Sequence, residues 1–205
     1  MLSMESMSDL TVISAVMAGI CLSAASGLRV FLPILALGLA ARFGWLDVGE
    51  QFAWLASEPV LIVVGIAALL EAGAYYVPLV DNLLDILATP AAIGGGTVIV
   101  SALLPEMQGL MHWGTAAALG GTSAGIVQAT TVLARGVSTA SSGGLANPLV
   151  STTETVGSLF VILMAFLIPI VFGIVVIVLL IWLLVRLIRF ATSRGQAAAT
   201  DPTAH

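Results

Sequence analysis

The sequence predicts an all-α protein, a polytopic bundle of about five membrane-crossing helices. Hydrophobic residues make up 60% of the 205 residues, charged residues make up only 8%, and the mean hydropathy is +1.15. Because soluble domains carry about 25% charged residues, this chain cannot cover its whole surface with water-facing side chains. The apolar runs are also long and continuous, which favours helices over the alternating strands of a membrane barrel.

The charge and the rare residue types exclude several classes of protein. The net charge is −5, so we expect no nucleic-acid partner and take the lipid bilayer as the main partner. Cys21 is the sole cysteine and is expected to be a small buried hydrophobe, while His112 is expected at the membrane interface. No enzyme motif is present, so we expect neither catalytic residues nor a cofactor; metal binding stays open.

The first elements lie on either side of a predicted interfacial loop. Residues 1–9 form an acidic N-terminal tail without the basic region of a signal peptide, so the apolar segment that follows should be retained. Residues 10–41 predict one membrane helix interrupted at Ser26-Gly27 or Pro33, because an unbroken helix would measure about 48 Å against a core of about 30 Å. A re-entrant pair of half-helices is the alternative. Residues 42–57 predict the loop, with tryptophans suited to the headgroup level.

The middle of the chain predicts two further helices joined by a tight turn. The second helix covers residues 58–78 and has a proline in its first turn, where proline is tolerated. Residues 79–82 form the turn. The third helix covers residues 83–104 and is expected to be interrupted at Thr89-Pro90 and at the glycines of residues 94–96.

The last part of the chain predicts two long helices around a polar loop. These helices cover residues 107–137 and 156–190, with the loop at 138–155 and a kink at Pro169. Residues 10–190 thus form a single transmembrane domain, and residues 191–205 are expected to be a disordered tail. Three of the six arginines follow the last helix, which places the C-terminus in the cytoplasm and the protein in the inner (plasma) membrane.

A candidate internal repeat relates the two halves, residues 10–104 and 107–190. Residues 27–39 (GLRVFLPILALGL) align without gaps to residues 125–137 (GIVQATTVLARGV), with four identical positions. Apolar, glycine-rich segments also match by chance. If the repeat is real, the two copies are inverted in the membrane, as in many secondary transporters with a site near the midplane.

Acidic residues within apolar segments are the main candidates for a functional site. Each costs about 2.5–3.5 kcal/mol on insertion scales, so such residues usually face a bundle interior. Glu71, in mid-helix, is the best single candidate. Asp81 and Asp85 share a helix face and, with Asn82, could coordinate a hard cation or relay protons. Alternatively, Asp81 and Asn82 merely cap the third helix at the interface.

The arginines inside the predicted bundle offer partners for these acids. Arg29 is expected to be a partner or gate for the acidic site, and an ion pair of Glu71 with Arg29 or Arg135 is the simpler alternative. We expect Arg135, near a predicted helix end, to extend towards the headgroups. The weaker site candidates are Arg135, Gln128, Glu58 and Glu154.

Three blocks of sequence resemble a bacterial membrane family known as domain of unknown function 4126. The blocks are SGLRVFLP at 26–33, EAGAYYVPLVDNLLD at 71–85 with its extension TPAAIGGG, and GGTSAGIVQATTVLARGVSTASSGGLANP at 120–148. The similarity covers residues 15–185. It implies a small polytopic membrane protein and implies no activity, cofactor or catalytic residue.

Taken together, these features predict a small cation or proton transporter or channel. Its polar interior would contain Glu71, Asp81, Asn82 and Asp85, with Arg29 beside them. The alternative is a structural or assembly protein of the membrane, in which the same polar groups specify helix packing. A lipid-modifying enzyme would need a nucleophile and base that the sequence does not offer. A chain of 205 residues is short for a transporter, which also suggests that the protein forms a homodimer.

Overall fold

A computed structural model describes residues 4–74 and 78–199, with side chains described for residues 9–74 and 87–192. Within these ranges the chain is all helical and contains no strand. In the described part of the chain, four helices are long and apolar enough to cross a membrane, or five when a bent pair is counted as one span. The predicted fold class, an all-α bundle of about five membrane helices, is confirmed.

The first two helices form a hairpin that turns inside the bundle. Helix α1 covers Met4–Ser26 and α2 covers Phe31–Arg42, so the interruption predicted at Ser26-Gly27 is confirmed. Gly19 of α1 lies beside Leu103, while Gly49, beyond the end of α2, donates a backbone hydrogen bond to Ala102. The start of α1 and the end of α2 therefore lie at the same end of the bundle. The arrangement resembles the predicted alternative, a re-entrant pair of half-helices, except that α1 is a full-length helix.

Pro33 does not break α2, because it lies in the first turn, where backbone N–H groups have no partner within the helix. Helix α2 has 12 residues and measures about 18 Å, well short of a membrane crossing. A 3₁₀ helix, Glu50–Ala56, lies in the predicted interfacial loop and is bent by 62° from α3, Glu58–Ala74. Helix α3 runs back along α2 towards the tip of the hairpin, since Leu61 lies beside Gly38 and Glu71 contacts Val30.

Helix α4, Pro78–Leu103, is continuous, so the turn predicted at residues 79–82 is wrong, as are the predicted interruptions at Thr89-Pro90 and residues 94–96. The helix begins at Pro78, a favourable first residue, and the acidic residues that suggested a turn lie in its first turns. The glycines serve close packing instead. A side chain at Gly96 would lie 2.7 Å from the Gly120 carbonyl oxygen and 2.8 Å from Ala124 Cβ.

The next helical stretch is longer than predicted. Helix α5, Gly109–Ala116, continues through a π-helical turn, Ala117–Gly121, into α6, Thr122–Ser142. A turn over residues 143–146 leads directly into α7, Asn147–Leu167. The polar loop predicted at 138–155 is therefore wrong. Its serine and threonine hydroxyls donate to carbonyls one turn earlier, as Thr152 does to Pro148, so that the polar segment remains helical.

The predicted last helix is two helices. Helix α7 ends before Ile168, whose φ of −141° and ψ of 58° are not helical, and α8 covers Pro169–Ala199. Proline begins the new helix because it cannot donate the hydrogen bond that would continue the old one. Helix α8 extends to Ala199, beyond the predicted start of the disordered tail at residue 191; residues 200–205 lie outside the described part.

Helix α1 is the centre of the bundle and packs against α4, α6, α7 and α8. Helix α7 runs antiparallel to α1, because Gly157 lies beside Leu28 and the Ser158 hydroxyl donates to the carbonyl of Ala25. Helix α8 runs in the same direction as α1, with Gly173 packed on Met17 and later residues beside Ile20. The turn between α6 and α7 therefore lies at the same end of the bundle as the end of α8. Cys21 is fully buried, which confirms its predicted hydrophobic role.

The two segments of the candidate repeat have different structures. Residues 27–39 contain the tip of the hairpin and most of α2, whereas residues 125–137 lie in the interior of continuous α6. Gly27 and Gly125 align in sequence but pack differently. A side chain at Gly27 would collide with the Ala124 carbonyl of α6, whereas one at Gly125 would make ordinary contact with Ile93.

Candidate functional site

The turn of the α1–α2 hairpin is the structural origin of the site. The chain leaves α1 at Gly27 and enters α2 at Phe31, so the first N–H groups of α2 have no carbonyl partner within the helix. The carboxylate of Glu71, on α3, accepts hydrogen bonds from both: Val30 N donates to Oε1 at 2.8 Å and Phe31 N donates to Oε2 at 3.1 Å. A carboxylate at this helix end also interacts favourably with the helix dipole. Glu71 thus caps α2 from a neighbouring helix.

Arg29, at the same turn, ties the hairpin to α7. Its side chain is only 2% exposed. The Nε atom donates to Thr155 Oγ1 at 3.0 Å, and Nη2 donates to the Ser151 carbonyl at 2.7 Å and to the Ser151 hydroxyl. Nη2 also lies 3.7 Å from a carboxylate oxygen of Glu154. The sequence predicts Arg29 as a partner or gate of the acidic site, and the structure places it at the hairpin turn with its side chain bonded to α7.

Arg135 and Glu154 form a buried ion pair between α6 and α7. Both side chains are 5% exposed, and the guanidinium meets both carboxylate oxygens, with Arg135 Nε donating to Glu154 Oε1 at 3.1 Å. The prediction that Arg135 extends to the headgroups is wrong, because α6 continues to Ser142 and places Arg135 inside the bundle. Glu154 lies in the third turn of α7, since that helix begins at Asn147.

Arg29, Glu71, Arg135 and Glu154 together form what we call the four-charge cluster. They come from the hairpin turn, α3, α6 and α7, and their formal charges sum to zero when all four are ionised. Glu71 interacts electrostatically with both arginines, while the close ion pairs are made by Glu154. The predicted alternative of an ion pair between Glu71 and an arginine is therefore replaced by hydrogen bonds to the backbone of α2.

The other predicted site residues fall into three groups. Gln128 is buried at 4% exposure on α6, beside Gly27 of the hairpin turn, and so lies next to the cluster. Glu58 is 74% exposed and forms a surface ion pair with Arg42 at 3.9 Å. Unlike the buried pairs of the cluster, such surface pairs contribute little stability. Three residues have their backbone in α4 but their side chains outside the described residues: Asp81, Asn82 and Asp85.

A cavity of about 350 Å³ lies between α2, α3 and α4, next to the hairpin turn. Its walls are almost entirely apolar and include Phe31, Leu70, Leu87 and Ala88. Of the side chains described at this cavity, Glu71 is the one that carries a charge. Among the described residues, no group of three histidine, cysteine, aspartate or glutamate side chains could hold a metal ion. The described part of the site thus presents one carboxylate to a cavity, backed by buried charges.

A second buried polar contact lies at the other end of α4. His112, on α5, is 3% exposed, and its Nε2 lies 2.7 Å from the hydroxyl oxygen of Ser101. Helix α5 packs against α4 and covers the imidazole, while the position of His112 at the membrane interface stays a prediction. Nothing in the local sequence pattern distinguishes this buried histidine from an exposed one.

Comparison with known proteins identifies a single family. The family model described as "Domain of unknown function (DUF4126)" matches residues 16–190 of the chain. No curated protein and no solved structure matches the chain.

The pairing of Glu154 with two buried arginines predicts a large loss of stability in Glu154→Gln. Removing one partner of a buried ion pair leaves uncompensated charge and costs about 3–5 kcal/mol. The matched control, Glu58→Gln, removes an exposed acid and should change the free energy of unfolding by less than about 0.5 kcal/mol. Unfolding by SDS in mixed micelles, followed by circular dichroism, measures both. Equal stability of the two variants would contradict the described pairing.

Proposed function

The chain belongs to the family Domain of unknown function (DUF4126), and we propose that it is a multi-pass membrane transport protein in which Glu71 takes up and releases a proton. The observation that supports this most is the position of Glu71. It alone among the four-charge cluster lines a cavity, and at the same time it holds the first N–H groups of α2. An acid within a membrane domain is a common site for protons and ions.

The cluster gives this proton exchange a structural consequence. With Glu71 ionised, the two arginines and two glutamates are balanced. Protonation removes one negative charge and weakens the hydrogen bonds that Glu71 accepts from Val30 and Phe31, because a neutral carboxyl group is a poorer acceptor than a carboxylate. The position of α2 then responds to the proton, while Arg29 remains tied to α7. A helix with two positions that depend on one charge is the usual element of a switch.

A proton suits this site better than a metal cation. Both carboxylate oxygens of Glu71 already accept backbone hydrogen bonds, and Glu154 is already engaged by Arg135 and Arg29. A hard cation would prefer several free oxygen ligands. The cation alternative would have to use Asp81, Asn82 and Asp85, whose side chains lie outside the described residues. The proposal includes no enzymatic reaction and no cofactor.

The structural alternative, a protein whose polar groups specify helix packing, has one observation in its favour. All carboxylate oxygens of Glu71 and Glu154 accept hydrogen bonds from groups of the bundle itself. A single buried polar set can fix the arrangement of packed helices. Under this alternative the same contacts would hold the hairpin in place without ever changing, and no flux would depend on Glu71.

We further propose that the protein lies in the plasma membrane with its C-terminus in the cytoplasm. Exposed Arg186 and Arg189 near the end of α8 support this side by the positive-inside rule. Because α7 and α8 are antiparallel, the turn at residues 143–146 would then also be cytoplasmic, and the N-terminus would lie outside.

Labelling of single cysteines tests this orientation. Leu145 is 87% exposed in the cytoplasmic turn, and Glu106 is exposed in the loop at the opposite end of the bundle. In intact cells, a membrane-impermeant maleimide should label Glu106→Cys and should label Leu145→Cys only after permeabilisation. The native Cys21 is fully buried and serves as the unlabelled control. The reverse pattern would overturn the orientation, and labelling of both from one side would overturn the arrangement of the helices.

Proton flux in proteoliposomes tests the function. Wild-type protein should dissipate an imposed pH gradient, read by a trapped pH-sensitive dye, when a potassium diffusion potential balances charge. Glu71→Gln should reduce the protein-dependent rate at least tenfold, because the amide cannot exchange a proton. The matched variant Glu106→Gln, an exposed acid outside the cluster, should keep the wild-type rate. The proposal fails if well-folded Glu71→Gln transports protons at the wild-type rate, or if the wild type transports no protons at all. Either result would favour the structural alternative.

A further inference from the structure

The cavity beside Glu71 has the size and lining of a small-molecule site. Its volume of about 350 Å³ lies within the range of roughly 300–1,000 Å³ that is usual for ligand pockets. Phe31 and Leu70 contribute large apolar surfaces, while Ala67, Ala88 and Ala91 leave room between α3 and α4. Two helices that simply packed together would close this space with larger side chains.

The charge at the cavity wall selects the occupant. Among the residues whose side chains the structure describes, Glu71 is the one charged residue in the lining, whereas Arg29 and Arg135 are 2% and 5% exposed and do not line the cavity. A guest therefore meets a carboxylate in apolar surroundings, with an aromatic side chain, Phe31, beside it. Carboxylates attract cations more strongly away from water, and aromatic faces bind ammonium groups. A metal ion would find too few ligands, and an anion would meet the carboxylate first.

We propose that this cavity binds a lipophilic monovalent organic cation, an ammonium group with apolar substituents, against Glu71. The proposal rests on the proposed function, since it names what is exchanged for the proton at the same carboxylate. Glu71 already accepts two backbone hydrogen bonds. A carboxylate keeps its negative charge while it accepts these bonds, so it can attract the cation electrostatically while α2 stays capped.

The exchange is balanced in charge. When the cation enters, the O–H bond of protonated Glu71 breaks and the proton leaves to water, while the carboxylate pairs with the cation without forming a covalent bond. One positive charge replaces another, so the total charge within the membrane domain is unchanged. Binding should therefore compete with protons and weaken as the pH falls.

Binding to purified protein in nanodiscs tests the proposal, with benzyltrimethylammonium as the probe and its neutral isostere, neopentylbenzene, as the matched control. Equilibrium dialysis should give saturable binding of the cation at least tenfold tighter than of the neutral compound. Glu71→Gln should weaken cation binding at least tenfold. Ala88→Leu should do the same by filling the cavity while leaving the carboxylate in place, which keeps the test informative if Glu71→Gln does not fold. Glu106→Gln should bind like the wild type.

The outcomes separate this inference from the transport proposal. Equal binding of both probes would show an apolar crevice only and would overturn the inference, as would cation binding that both Glu71→Gln and Ala88→Leu leave unchanged. Proton flux in proteoliposomes without any cation binding would overturn the inference and leave proton transport standing. Cation binding that depends on Glu71, in a protein that moves no protons, would support the site and overturn the transport proposal.

Discussion

The hydrogen bonds from Val30 and Phe31 to Glu71 are the interaction on which the rest of the structure depends. Helix α1 turns back into α2 inside the bundle, so the first N–H groups of α2 need a partner from elsewhere in the protein. Unsatisfied backbone groups within a membrane domain cost several kcal/mol each, so a turn at this depth requires a partner. Glu71 provides it, and in doing so it fixes α3 against α2 and forms one wall of the cavity.

The capping carboxylate brings charge into the bundle, and the remaining three members of the cluster balance it. Arg29 lies in the hairpin turn, and its guanidinium extends to Glu154 of α7. Glu154 also forms an ion pair with Arg135 of α6. Glu154 lies seven residues into α7, about 10 Å from the turn that precedes this helix. The cluster thus lies well inside the bundle, where a change of one proton affects the attachment of α2 more than it would at a surface.

The sequence predicts those features that depend on local chemistry. The all-α class and the break at Ser26-Gly27 follow from apolar runs and glycine. Isolated charges single out Glu71 and Arg29, but they predict neither the capping of α2 by Glu71 nor the contacts of Arg29 with α7. The pairing of Arg135 with Glu154 is not predicted either, because it depends on where α6 ends and α7 begins. Serine and threonine hydroxyls that bond carbonyls within their own helix hide that boundary. Pro78 and Pro169 likewise begin helices, where the sequence allowed a turn or a kink instead.

Amide hydrogen exchange at the hairpin turn tests the central claim most directly. In nanodiscs, peptides that contain Val30 and Phe31 should exchange slowly in the wild type, and at least tenfold faster in Glu71→Ala, because the alanine cannot accept their hydrogen bonds. Exchange in the interior of α8, far from the turn, should stay unchanged and serves as the internal control. Unchanged protection of Val30 and Phe31 in a folded Glu71→Ala would contradict the account, since another group would then have to cap α2.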